Sequence, residues 1–158
     1  MRRGLFDLPA VAGRLRATSD RLATQSLAAA LRVDPSLRER YDETMLRRFL
    51  RDYERHIEQL AQAVATGEHR FVVVYGETLV PIYRRRDVRM NDVVSLLQGL
   101  QEAAVSLGSS TDAAAIREPM AAWIERMRHH RRLPGDHEGN KAARFIFKGA
   151  GLGDDTVV

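Results

Sequence analysis

Leu37, Tyr41, Met45, Phe49, Tyr53, Ile57, Leu60 and Val64 recur every four residues, with a single step of three. That spacing predicts a long amphipathic helix over 35–66. Its other faces carry Arg38, Glu39, Arg40, Asp42, Arg47, Arg48, Arg51, Asp52, Glu54, Arg55 and Glu58, read as solvated charges able to pair at i, i+3 or i, i+4. A restart is expected near Asp42-Glu43-Thr44, and Gly67 ends the segment.

The same period continues through Phe71, Tyr75, Leu79 and Ile82 with Tyr83, and then through Val88, Val93 with Val94, Leu97 and Leu100. Two helices follow, joined by the basic corner Arg84-Arg85-Arg86-Asp87, and the other helices are expected to pack on this hairpin. Asn91 or Asp92 is the expected cap of the second helix, and Gly108 its left-handed terminator. Val72-Val73-Val74 has strand propensity. It lies inside a helical period with no second strand to pair with, so a helix is predicted. Pro81 removes a backbone donor inside that helix and predicts a kink, with Gly76 beside the weak point and room for a pocket beneath.

The flanks read the same way. Leu8, Val11, Leu15, Leu22, Leu27 and Leu31 give a first helical region over 5–31, with Asp7 as its cap and a break at Thr18-Ser19. Val33-Asp34-Pro35 separates it from the next element. Ser109 to Asp112 are good cap types for a helix carrying Ala115, Ile116, Met120, Trp123, Ile124 and Met127, with Pro119 as another kink. Pro134-Gly135 stops it, 134–140 is a loop, and 140–149 is a short last helix. The expectation is an all-α bundle of five to six helices in one domain over 1–150, followed by a disordered tail over 151–158.

Composition removes several chemistries. There is no cysteine, so disulfides, thiolate metal sites and cysteine nucleophiles are excluded. Of the 25 basic residues only Lys141 and Lys148 are lysines, and the net charge is +4 with acids interleaved among the bases. A mixed-charge solvated surface accounts for this, and nucleic acid is not an expected partner. No apolar run approaches the ~20 residues that span a bilayer. Asp7 and Pro9 interrupt any signal-peptide core, and a cytoplasmic location is the simplest expectation.

The candidate chemistry is sparse. His56 borders the apolar stripe of the long helix, and a haem role there would need an inward imidazole with an open coordination position. His69 opens the next helix near Tyr75 and Glu77, a set that could serve an enzyme only if the three converge. No His-x-x-x-His or Glu-x-x-His spacing places a metal on one helix face. His129 and His130 stand among Arg126, Arg128, Arg131 and Arg132 and complement the negative end of a helix dipole. The groups Arg84–Arg86 and Arg128–Arg132 could meet phosphates, but no stacking aromatics accompany them. The glycines of 149–153 follow a helix, not a strand, and are not a phosphate loop. His56, His69, Tyr75, Tyr83 and Trp123 are the candidate lining of a ligand pocket.

From about Asp34 to Leu107 the chain resembles the N-terminal domains of RsbR-type stressosome proteins (the RsbRD N-terminal-like helical domain). It is also similar to the helical domain that precedes output modules in some PucR-type transcription regulators. The residues that carry this are DPSLRERYDETMLRRFLRDYERHIEQLAQAVATG, then FVVVYGETLVPIYRRRDV and RMNDVVSLLQGLQEAA. The resemblance implies a globin-like helical fold without a required haem, a homodimer, and transmission of a signal to a protein partner. Stressosome members carry a STAS output domain after this region; none is expected before Val158, which implies a stand-alone sensor-like protein or an excised domain. The reading is a non-enzymatic sensory or regulatory domain for stress-type signalling, without cofactor; the alternative is a haem-binding globin-like gas or redox sensor.

Overall fold

The computed structural model describes residues 8–130. Among these residues there are seven helices and no strand: α1 (Leu8–Ala17), α2 (Ser19–Val33), α3 (Leu37–Arg40), α4 (Glu43–Thr66), α5 (Arg70–Arg85), α6 (Met90–Val105) and α7 (Ser110–His130). The all-α expectation holds, and Val72–Val74 lie inside α5. The expected cap at Asp7, the helix at 140–149 and the tail at 151–158 lie outside the described residues.

Two expected interruptions are where the extra helices come from. Thr18 separates α1 from α2, its hydroxyl donating back to the Arg14 carbonyl at 2.8 Å. The long predicted helix is two elements. Tyr41 and Asp42 are extended, and the Asp42 carboxylate accepts from the Met45 N–H at 2.9 Å, which caps α4. Gly67 ends α4 with φ 73°, while the Glu68 N–H reaches back to the Ala63 carbonyl at 3.2 Å.

Three local expectations are corrected. Neither Asn91 nor Asp92 caps α6; Arg89 stands at that position, without a side-chain cap, and Asp92 is buried in the first turn. Gly108 is not left-handed, since Gly67 is the one described glycine with positive φ, and α6 ends at Ser106. The basic corner closes through Asp87 instead, at φ 62°, with the Val88 N–H bonded to the Tyr83 carbonyl at 2.9 Å. Aspartate tolerates that region better than most side chains.

The interior is one cluster built mainly of Leu, Val, Ala and Met around four large aromatic side chains, Trp123, Tyr53, Tyr83 and Phe49. Each of these contributes roughly 1.5–3 kcal/mol by leaving water. α6 runs through the middle, packed chiefly on α2 and α7, whereas α4 meets α1, α2, α5 and α7. The predicted α5–α6 hairpin is therefore not the hub: the two helices are sequential but pack mainly on other elements. α5 is also rotated by about one residue from its predicted stripe. It buries Val72, Gly76, Leu79, Val80 and Tyr83, and leaves Phe71, Tyr75 and Ile82 half-buried. That rotation brings Gly76 against α7, where a methyl group on it would lie 2.9 Å from the Trp123 indole nitrogen and 3.0 Å from Met127 Cε. No described helix is long and apolar enough to cross a membrane.

Candidate functional site

Two groups of polar side chains penetrate this apolar interior. The first lies between α4 and α5. His56 is 3% exposed. Its Nδ1 lies 2.9 Å from the Tyr75 hydroxyl and its Nε2 3.2 Å from the Tyr83 hydroxyl. The Tyr83 hydroxyl in turn donates to Asp52 Oδ2 at 2.9 Å, and Arg86 Nη1 donates to the same oxygen at 2.8 Å.

The direction of each proton follows. A carboxylate only accepts, so the Tyr83 proton points at Asp52. The Tyr83 oxygen is then the acceptor for Nε2–H, which leaves Nδ1 bare to accept from Tyr75. This fixes one neutral tautomer and orders the chain Tyr75, His56, Tyr83, Asp52, Arg86. Burial supports both ends of that assignment. It lowers the His56 pKa to about 4; the Asp52 charge opposes the shift, and Arg55 and Arg86 add to it. Burial, followed by the Asp52 charge, pushes the Tyr75 and Tyr83 hydroxyls well above the usual phenol range, so both remain donors.

Aromatic edges hold the imidazole. Tyr53, Tyr75 and Trp123 stand edge-on to it at 5.9, 5.5 and 5.5 Å between ring centres, and the Arg86 guanidinium lies over the Tyr83 ring at 5.5 Å. Beside the chain is a recess of about 70 Å³, lined by Asp52, Arg55, His56, Tyr75, Leu79, Ile82, Tyr83 and Arg86.

Four of the five predicted residues, His56, Tyr75, Tyr83 and Trp123, thus converge. His69 does not: its side chain is 42% exposed and meets Glu118 at 3.4 Å. The Tyr75–Glu77–His69 set likewise comes apart, because Glu77 turns to His130 at 2.8 Å and Arg126 at 3.0 Å on α7. His130 is correspondingly paired with an acid rather than standing among arginines alone. Two further members, Asp52 and Arg86, carry no signature in the apolar period, which leaves Asp52 among the solvated charges of α4 and Arg86 in the basic corner. Asp52 precedes His56 by four residues and Tyr53 by one, so it falls on the buried face of α4. A carboxylate at a core position of an apolar stripe is the signal that identifies it.

The second group surrounds Asp92, which is fully buried. Its carboxylate accepts from the Tyr41 hydroxyl at 2.5 Å, from Arg40 at 2.7 and 3.1 Å, and from Arg89 at 3.3 Å. Arg40 also binds Asp34 at 2.8 Å, tying α3 to the start of α6. Every carboxylate oxygen here is saturated, which marks it as a clamp between elements.

The donor set does not fit haem. Both ring nitrogens of His56 are engaged, and the recess is far smaller than the ~300–1,000 Å³ of ordinary small-molecule pockets. Among the described residues no group of three or more histidine or acidic side chains could hold a metal ion. No family model matches the chain, and no curated protein is significantly similar to it.

Proposed function

We propose that the protein is a non-enzymatic sensory or regulatory helical domain whose receiving centre is the His56 chain. One observation carries this reading: a continuous run of five polar side chains, ending in the Asp52–Arg86 ion pair, crosses from α4 to α5 inside an apolar core. Each link of such a run strengthens its neighbours and is lost if the two helices slide, so the run favours one packing of these helices over another. α5 is suited to be the moving part. Pro81 deprives it of one backbone hydrogen bond, and Gly76 is its contact point with Trp123. A ligand or partner that re-pairs Arg86 or Tyr75 would shift α5 against α7, and the shift would be read at a surface shared by two copies or with a signalling partner. The resemblance to RsbR-type sensor domains, with their globin-like helical arrangement, supports the same reading.

The test is a hydrogen-exchange and light-scattering comparison of the full chain with its Tyr75→Phe variant. Tyr75 is half-buried, and phenylalanine keeps the ring, so the fold is retained. The expected result is faster exchange in α5 and the end of α7, with α1 and α2 unchanged, and a shifted monomer–dimer equilibrium. A protein that stays monomeric at high concentration and exchanges identically in both forms would refute the reading.

A further inference from the structure

The recess beside His56 has an unbalanced electrostatic lining. Of its eight residues, three carry charge: Asp52, Arg55 and Arg86. Asp52 is matched by Arg86, with the Tyr83 hydroxyl donating to the same oxygen. Arg55 is exposed and makes no ion pair or hydrogen bond among the described residues. The lining therefore carries a net charge of +1, from Arg55 and Arg86 against Asp52.

Its donors are unbalanced as well. Tyr75 and Tyr83 have committed their protons to His56 and Asp52, and His56 has committed Nε2–H to Tyr83. Arg86 differs, because its Nε is buried and has no hydrogen-bond partner. A buried charged donor without an acceptor is costly and calls for one. Leu79 and Ile82 close the remaining walls with apolar groups. At about 70 Å³ the space has room for a few waters or one small molecule.

We propose that this recess binds a small, planar, monovalent oxyanion, of the carboxylate, nitrate or bicarbonate type, held between Arg55 and Arg86. The guanidinium fork matches two oxygens of a planar anion, which a spherical halide cannot reproduce. Phosphate and dicarboxylates carry more negative charge than the net +1 of the lining matches. This inference rests on the sensory reading and names its ligand class: the anion competes with Asp52 for Arg86 and so acts on the last link between α4 and α5.

Formate is the probe, titrated into the isotopically labelled full chain against sodium chloride at constant ionic strength. The His56, Tyr83 and Arg86 side-chain resonances report on the site. A saturable shift confined to these groups is expected with formate and not with chloride. In the Arg55→Gln variant, whose exposed position spares the fold, binding should weaken about tenfold, the effect of one charge-assisted hydrogen bond. Shifts that rise linearly with salt, that match those from chloride, or that persist unchanged in Arg55→Gln overturn the proposal. If formate fails while Tyr75→Phe still loosens α5, the ligand class is wrong and the sensory reading stands. If formate binds saturably and Tyr75→Phe changes nothing, the site is real and the signalling role is lost.

Discussion

Acidification should destabilise this protein through His56 before it protonates most carboxylates. The folded-state pKa of His56 is about 4, against an ordinary 6.5. Well above pH 6.5 the imidazole is neutral in both states and its titration contributes nothing. As pH falls toward 4 the unfolded chain takes up the proton and the folded chain does not, so folding loses free energy. Linkage over these two values gives a loss of ~2 kcal/mol by pH 5 and ~3 kcal/mol by pH 4. Urea unfolding at pH 7, 6 and 5, compared between the wild type and His56→Gln, measures it. The variant retains the other four histidines, His69, His129, His130 and His137, so the difference between the two proteins isolates His56. The wild type should lose ~2 kcal/mol more than the variant between pH 7 and 5. Parallel losses in the two proteins would show that His56 is not held neutral, and the ordered hydrogen-bond chain would fall with it.

Helix glycines provide a matched pair. At Gly99 an added methyl would sit 2.5 Å from the Ser26 carbonyl oxygen and 2.6 Å from the Ala30 nitrogen, whereas at Gly13 nothing lies within 4 Å. Gly99→Ala should therefore cost ~2 kcal/mol or more, because α2 and α6 must separate, and Gly13→Ala should stabilise by ~0.5–1 kcal/mol; thermal unfolding that moves both the same way would contradict the packing. Asp92→Asn leaves Arg40 and Arg89 without their buried counter-charge and should cost ~3–5 kcal/mol, measured by urea unfolding; a cost below ~1 kcal/mol would mean that the clamp is not desolvated.

The helices were legible because one face of each is apolar at a regular period, and period is a local property of sequence. The α4 stripe and its restart at Asp42 follow from that alone. The register of α5 did not follow: Val72, Val73 and Val74 are apolar on adjacent positions, so either of two faces could be inward, and the choice was made by Trp123 meeting Gly76 from 47 residues away. The site was legible in part for the same reason. His56, Tyr75, Tyr83 and Trp123 each border an apolar stripe. His69 borders one too, but stands at a helix start and turns outward to Glu118. Asp92 in α6 accepts from Arg40 and Tyr41 at the end of α3, some fifty positions earlier in the chain, and no local spacing announces such a clamp. Asp52 could have been found, since i, i+4 spacing to His56 places both on one face, but a carboxylate amid arginines reads as a surface charge until its depth is known.

The account depends most on a single neutral imidazole held in one tautomer between two tyrosine hydroxyls. Long-range proton–nitrogen correlation spectra of labelled protein observe it directly. His56 should show a protonated Nε2 and a bare Nδ1 at neutral pH, and the same pattern at about pH 5, well above its pKa of about 4. Two protonated nitrogens at that pH, or signals averaged between the two tautomers, would contradict it.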